Sequence, residues 1–575
     1  MVEIEQRAAV SLERRTPWRD ALETMLRELS PDRADAWMMR LNEGRGTFAL
    51  TLASTSGRAL LIGHPLSGTA IALEQLGLRV VCLGACALDL RLANGRRQTL
   101  LGRGGAGVVG LAGQLPFRDG TFDLVVHEGG PEQGWRALLP ELIRVAHPTR
   151  GELVLIGDNP LAYKRALGRR GRFVHATPWS FAGRVLRPPA AEARATTLRR
   201  LLRSAQFSPV RAYALYPHAL EFSHVVGLDG DGPDLTIGRR ERQNRVKLFG
   251  HRVGLFETLA PSFCVHGKRG GARSRLGRIL GGLAERTGLR PGRVEHLVAT
   301  RSTTALVLTD GPDPICLHVP LSPSKRNLTE THMRFLRLVE EHFPTIPVPT
   351  PLFAGEIDGT WIQAERRLGG LTAPHLTGTD LAEDELPVRV AEVLSHLKVS
   401  EPAPLTQGVF DELLGERCAE VQRRSGSVGT AKALGRMLAE AAERLVGREL
   451  PLMLYHADTR AKHVQVDHQG RVIGLLDWGA SESKFLPYAD LGHLLVHQRK
   501  QTHGGTVGAA WRVLRRPDAR SAGEQEALLR YGDALQIETD VQEAMIDIIP
   551  LIVAGMAERN WDYSRPAWVG RQFEI

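Results

Sequence analysis

Cysteine and aromatic residues are scarce in this chain of 575 residues, which has five cysteines and 6% Phe, Trp and Tyr. Cys82, Cys86, Cys264, Cys316 and Cys418 are too dispersed for a disulfide scaffold, and none belongs to a CxxC pair of the zinc-finger kind. A reducing, cytoplasmic setting is expected. Long apolar runs are missing as well. The longest near the C-terminus, "MIDIIPLIVAGMA", contains Asp547 and Pro550 and is too short to cross a bilayer. The first residues, "MVEIEQRAAVSLERRTPW", have acids and no apolar stretch of the signal-peptide type. No membrane span is expected, and the absence of any low-complexity tract excludes bulk disorder.

The charge balance is basic, with 74 Lys and Arg against 64 Asp and Glu and a net charge of +10. A basic surface attracts anions. Here, however, Arg is scattered through Ala-, Gly- and Leu-rich segments without an aromatic-interleaved basic stripe, so a nucleic-acid partner is not expected.

A chain of this length predicts two or more domains. From Ala59 the pattern runs strand, turn, helix, strand ("ALLIG", "TAIALEQLG", "RVVCLG"), and continues through "GVVGL", "FDLVVHEG" and "GELVLIGD". Buried Val, Ile and Leu runs alternating with amphipathic segments predict a parallel α/β sheet. "GRGGAG" (102–107) spells a dinucleotide fingerprint but precedes a strand, so it reads as a loop. His127 and Glu128 fall at the carboxyl edge of the sheet, where open α/β sheets bind ligands. Residues 269–292, rich in Gly and Arg around one helical stretch, read as a linker between domains at 1–268 and 293–575. Beyond it come short strands ("HLVAT", "TALVLTD", "ICLHV"), a helix ("LTETHMRFLRLVEEHF") and a mostly helical region from about Pro387. Strands first and helices later predict a two-lobed α+β unit.

The chemistry concentrates in "YHADTRAKHVQVDHQGRVIGLLDWG", residues 455–479. Asp458 follows an apolar run, and a hairpin of "HVQVD" and "RVIGLLD" turning at Asp467 and His468 brings His463 and Asp477 to one end. Phosphoryl transfer needs a carboxylate near the acceptor hydroxyl and ligands for a metal on the phosphates, and this stretch has both.

"HADTRAKHVQVD", "GLLDWG" and the later "PYADLGHLL" resemble the motifs of the aminoglycoside phosphotransferase family, a protein-kinase-like fold. The resemblance implies ATP or GTP with Mg2+ as cofactors and a hydroxyl of a small molecule or sugar as acceptor. It implies Asp458 as catalytic base, Asp477 as magnesium ligand with His463 where the family has Asn, and Asp490 at the start of the following acidic helix. In the smaller lobe it assigns His318 to the phosphate-contacting cation and Glu330 to its acidic partner. Ser302 and Thr303 fall on the phosphate-covering turn, and Glu365 and Arg366 on the hinge near the adenine.

"RALLIGHPLSGTAIALEQLGLRVVCLG", "LPFRDGTFDLVVHEG" and "RVAHPTRGELVLIG" resemble the class I S-adenosylmethionine-dependent methyltransferases, whose fold is an α/β Rossmann-like sheet. The resemblance implies cofactor contacts at Gly63 and Gly68. Three expected acids are replaced, near Leu61, Gly84 and Leu111, and the missing ribose carboxylate near Gly84 removes a pair of charge-assisted hydrogen bonds worth about 1.5 to 3 kcal/mol each. The expectation is a phosphotransferase with a methyltransferase-like domain of weak or absent activity. A working methyltransferase with a kinase-like binding half, and a pseudoenzyme scaffold, are the two alternatives.

Overall fold

Five Val-, Ile- and Leu-rich runs form β1 (Gly57–Ile62), β2 (Leu78–Gly84), β3 (Ala106–Val109), β4 (Leu124–Glu128) and β5 (Glu152–Asp158). They are parallel, in the order β3-β2-β1-β4-β5. β4 is buried along its whole length because helices cover both faces, which is why its sequence shows no alternation. The crossovers include the helices Gly68–Gln75, Ala87–Leu101 and Trp135–Val145. The computed structural model describes residues 2–560 apart from 14–15, 30–36, 38–40, 42, 55, 130–134, 160–161, 163–193, 220, 229–259, 300–303, 373–380, 383 and 425–427.

The sheet continues in antiparallel fashion through β6 (Val210–His218), β7 (Glu221–Gly227) and β8 (Ser262–Lys268), with β8 inserted between β5 and β6. This is the Rossmann-like α/β arrangement expected from the strand pattern. "GRGGAG" lies between the helix ending at Leu101 and β3, in the loop expected for it.

A second set follows: β9 (Val294–Ala299), β10 (Thr304–Thr309), β11 (Ile315–Pro320), β12 (Pro351–Ile357) and β13 (Thr360–Arg366), ordered β12-β13-β11-β10-β9. The helix Pro323–His342 crosses between β11 and β12. It starts ahead of the Leu328 expected from periodicity, with a proline in its first turn, where the missing N–H costs nothing. A helical lobe from Leu386 to Asn560 packs around one large apolar core, giving the two-lobed kinase-like fold. Among the described residues no helix is long and apolar enough to cross a membrane.

The two sets are joined edge to edge. β7 pairs with β9 through His224 opposite Val298 and Val225 opposite Leu297, so all thirteen strands form one sheet. The Gly- and Arg-rich segment expected as linker contains the helix Arg275–Thr287, capped by the Ser274 hydroxyl, which accepts from the Gly277 N–H at 3.2 Å. Leu276, Ile279 and Leu283 recur at helical spacing and are buried. Arg275 is buried across the seam: its guanidinium donates to the Leu76 carbonyl at 2.7 Å and to the Thr360 hydroxyl at 3.0 Å.

Candidate active site

The strand Met453–Tyr455 runs into a loop holding Asp458, then a helical turn Ala461–His463 and the strand Val464–Val466. That strand pairs antiparallel with Val472–Leu475, Val464 opposite Leu475, which carries His463 and Asp477 to the same end. The turn is built by Asp467, whose side chain accepts from the Arg471 backbone at 2.9 Å. Donor atoms of Asp458, His463 and Asp477 lie within 4.8 Å of one another.

Hydrogen bonds set the protonation of this cluster. Nδ1 of His463 is 2.8 Å from the Asp458 carbonyl oxygen, which only accepts, so Nδ1 carries the proton. Nε2 is left with its lone pair 3.3 Å from Asp477 Oδ2. Burial lowers the His463 pKa against the pull of Asp458 and Asp477, so the ring is neutral and fit to ligate. Burial opposes the charge of Asp458, but the cationic surroundings, Arg460 among them, outweigh it and hold the carboxyl below its ordinary value. Arg460 Nε stands 2.5 Å from Asp458 Oδ1.

The loops are held in unusual backbone conformations. Ala457 and Asp477 have φ of 67° and 66°, left-handed values that cost a non-glycine residue about 1 to 2 kcal/mol. Asp490 offsets this at the first loop: its carboxylate accepts from the N–H groups of His456 (2.8 Å) and Ala457 (3.0 Å) and from the Thr459 hydroxyl (2.8 Å). His456 ties the two loops together. Its Nε2 donates to the Leu476 carbonyl at 2.9 Å and its Nδ1 accepts the Asp458 N–H at 3.4 Å. Burial lowers its pKa to about 4, so it is neutral here.

In the small lobe, β10 and β11 alternate buried and half-buried positions, which sets Cys316 and His318 on the same face of β11. Nε2 of His318 lies 3.1 Å from Glu365 Oε1. Nε2 of His332 lies 2.6 Å from Glu365 Oε2. His332 Nδ1 accepts the Trp478 N–H at 2.8 Å, so its Nε2 bears the proton it gives to Glu365. Burial opposes a charge on His318, but Cys316 and Glu365 outweigh it and raise the pKa well above 6.5. Burial also disfavours the Glu365 carboxylate, which His318 and His332 nevertheless bring down to about 2.

The acidic partner of His318 is therefore Glu365 from β13, and not Glu330. Glu330 lies on the outer face of its helix, 46% exposed and paired with Arg326 at 2.9 Å. Arg366 ends β13 with its N–H on the Thr350 carbonyl at 2.9 Å and its side chain exposed. Ser302 and Thr303 lie outside the described residues. Sequence reasoning missed Cys316 and His332, and it placed Asp490 without its role as the clamp on the Asp458 loop.

In the first half, Gly63 has φ of 113°, and a Cβ there would meet the Glu128 carbonyl oxygen at 2.1 Å. Its freedom serves this close approach of β4. Gly68 opens the helix Gly68–Gln75 and is buried. At the carboxyl edge Glu128 accepts from the Ser67 hydroxyl at 2.9 Å and from Thr69, and faces Arg45 at 3.6 Å. His127 beside it is buried, and burial lowers its pKa to about 4.

No curated protein sequence matches the chain significantly. Similar solved structures include a protein from Pyrococcus horikoshii OT3, 22% identical over 20% of this chain and 54% of that one, with a TM-score of 0.18. This chain thus spans about half the length of that protein. Macrolide 2'-phosphotransferase type I is 17% identical over 50% of this chain and 89% of its own, with a TM-score of 0.33. A SAM-dependent methyltransferase from Thermotoga maritima is 17% identical over 42% of this chain and 95% of its own, with a TM-score of 0.26. Strand order and site geometry, more than these likenesses, define the two folds. Residues 298–527 match the model of the phosphotransferase enzyme family, and they form a domain of that family behind a Rossmann-like α/β half.

Proposed function

We propose that the second half transfers the terminal phosphate of ATP or GTP to a hydroxyl of a small molecule or sugar. The observation that carries this reading is the convergence of Asp458, His463 and Asp477 within 4.8 Å. Two carboxylates and a neutral imidazole with a directed lone pair fit a divalent cation, oxygen donors being those magnesium prefers. Magnesium, when bound, neutralises charge on the β- and γ-phosphates. His463 Nε2 and Asp477 would hold it. Asp458, ionised at neutral pH, orients the acceptor hydroxyl and takes its proton. His318, whose pKa Cys316 and Glu365 raise, would contact the phosphates in place of the usual lysine. The acceptor pocket is assigned to the helical region after Pro387.

The test is phosphotransfer by the purified full chain to a panel of hydroxyl acceptors, with nucleotide and magnesium. Asp458→Asn is expected to lower turnover by roughly 10²- to 10⁴-fold while the thermal shift with magnesium and nucleotide persists. Full activity in that variant overturns the assignment. No shift at millimolar nucleotide would favour a scaffold without catalysis.

The first half is proposed to lack methyl-transfer activity. Glu128 at the end of β4 is already satisfied by Ser67 and Thr69, and Gly84 ends β2 near the place where the methyltransferase resemblance expects a ribose-binding acid. Micromolar binding in a calorimetric titration with S-adenosylmethionine would revive the methyltransferase reading. All five cysteines are free, in keeping with the cytoplasmic setting proposed for the protein.

A further inference from the structure

We propose that Cys316, His318 and Glu365 bind a thiophilic divalent ion of the zinc class in the small lobe, separate from the proposed magnesium ligands. Cys316 and His318 are two apart on β11, and Cys316 is the cross-strand partner of Glu365 on β13. The fold thus brings a sulfur, a nitrogen and an oxygen donor to one point.

Two of the three edges have the spacing of a tetrahedral site. Cys316 Sγ lies 3.5 Å from His318 Nε2. The same nitrogen lies 3.1 Å from Glu365 Oε1, and the three donor atoms fall within 4.8 Å of one another. Zinc bonds of about 2.3 Å to sulfur and about 2.0 Å to nitrogen and oxygen, at tetrahedral angles, give edges of about 3.5 Å for S···N and about 3.3 Å for N···O. The sulfur donor selects against magnesium and calcium.

His332 is a positioning residue. Its Nδ1 is committed to the Trp478 N–H, so its Nε2–H is available only as a donor, which it gives to Glu365 Oε2 at 2.6 Å. Oε1 is thereby left for the ion, the arrangement in which an outer hydrogen bond orients a ligating carboxylate. Three protein ligands leave a fourth position for water or a phosphate oxygen. Binding would displace the Cys316 thiol proton and the His318 Nε2 proton into solvent, and the bound ion would supply the positive charge that His318 provides in its absence. The inference stands on this cluster and does not depend on phosphotransfer.

The experiment uses the full chain, stripped with a chelator and titrated with cobalt(II). A thiolate-to-cobalt charge-transfer band in the near ultraviolet is expected to appear and saturate as this single sulfur-bearing site fills, and to be displaced by zinc. Cys316→Ser is expected to remove the band and to weaken zinc binding, measured against a chromophoric chelator, at least roughly tenfold. Asp477→Asn is expected to leave the band in place, which separates this site from the proposed magnesium site. X-ray absorption of the zinc-loaded wild type needs no variant and should show one sulfur at about 2.3 Å. A folded wild type without the band, a band that survives Cys316→Ser, or a zinc shell without sulfur would each overturn the proposal.

Discussion

The carbonyl oxygen of Asp458 takes the Nδ1 proton of His463 at 2.8 Å, so the backbone of one acidic residue sets the tautomer of the imidazole five positions later. The ring is held by the main chain, and its Nε2 points at Asp477. Asn, the residue the phosphotransferase resemblance expects at this position, offers an oxygen donor on a shorter side chain.

His463→Asn is accordingly expected to keep magnesium-dependent turnover within about tenfold of wild type. His463→Leu should weaken apparent magnesium affinity by roughly 10- to 100-fold, the range seen when a metal ligand loses even its supporting contact. Because burial lowers the His463 pKa, magnesium affinity should be flat above pH 6.5 and fall only below it. Titration of activity with magnesium at several pH values checks both; equal affinity in the Asn and Leu variants would refute the ligand role.

Cys316 and Glu365 raise the His318 pKa, which would give the proposed nucleotide binding a particular pH behaviour. In zinc-free protein with magnesium, the wild-type KM for nucleotide should rise little between pH 6 and 8, since Cys316 and Glu365 raise the His318 pKa well above its ordinary value. Glu365→Gln removes one of the two groups that raise the His318 pKa against burial, so that pKa should fall. The KM of that variant should rise about tenfold from pH 6 to 8, matching loss of a charge-assisted bond of at least about 1.4 kcal/mol. The same rise in the wild type would contradict the assignment.

His127 makes the first half acid-sensitive. Its folded pKa of about 4 lies below the ordinary 6.5, so the unfolded chain binds the extra proton between those values. Stability is therefore complete above pH 6.5 and declines as pH falls toward 4, by up to about 3 kcal/mol from this residue. His127→Phe, which keeps an aromatic ring against Trp135, should lose correspondingly less over that window in urea unfolding. Parallel pH profiles for the two proteins would exclude His127 as the cause.

Arg275 joins the two halves through the Leu76 carbonyl and the Thr360 hydroxyl. Arg275→Met leaves both partners without that donor and should cost about 2 to 4 kcal/mol. In scanning calorimetry the wild type should melt as one unit, and the variant at lower temperature with the transition broadened or split. A scan superimposable on wild type would show the seam to be held elsewhere.

The parallel sheet and the Asp458, His463 and Asp477 cluster were legible because they depend on local signals. Apolar runs mark strands, and a short hairpin places its ends together whatever the rest of the chain does. The His318 partner was not legible for two reasons. Cys316 meets Glu365 through strand register, which apolar patterning does not reveal across a long insertion. Glu330 and His332 differ by two residues on a helix, about 200° of rotation, so a small error in helix phase exchanges the exposed face for the buried one. The buried Arg275 was hidden in a segment whose glycines and arginines resemble a flexible tether, although Leu276, Ile279 and Leu283 carry the helical period.

The pairing of β7 with β9 changes which parts of the protein can move as units. In a two-lobed enzyme the cleft opens by rotation of the small lobe about the strand that leads out of it, here past Arg366. With its β9 edge hydrogen-bonded to the preceding half, the small lobe would turn together with that ballast. The mechanical division would then fall near Arg366, well inside the phosphotransferase domain, with the helical lobe as the lighter moving body. Inheritance and mechanics would partition the same chain at different places.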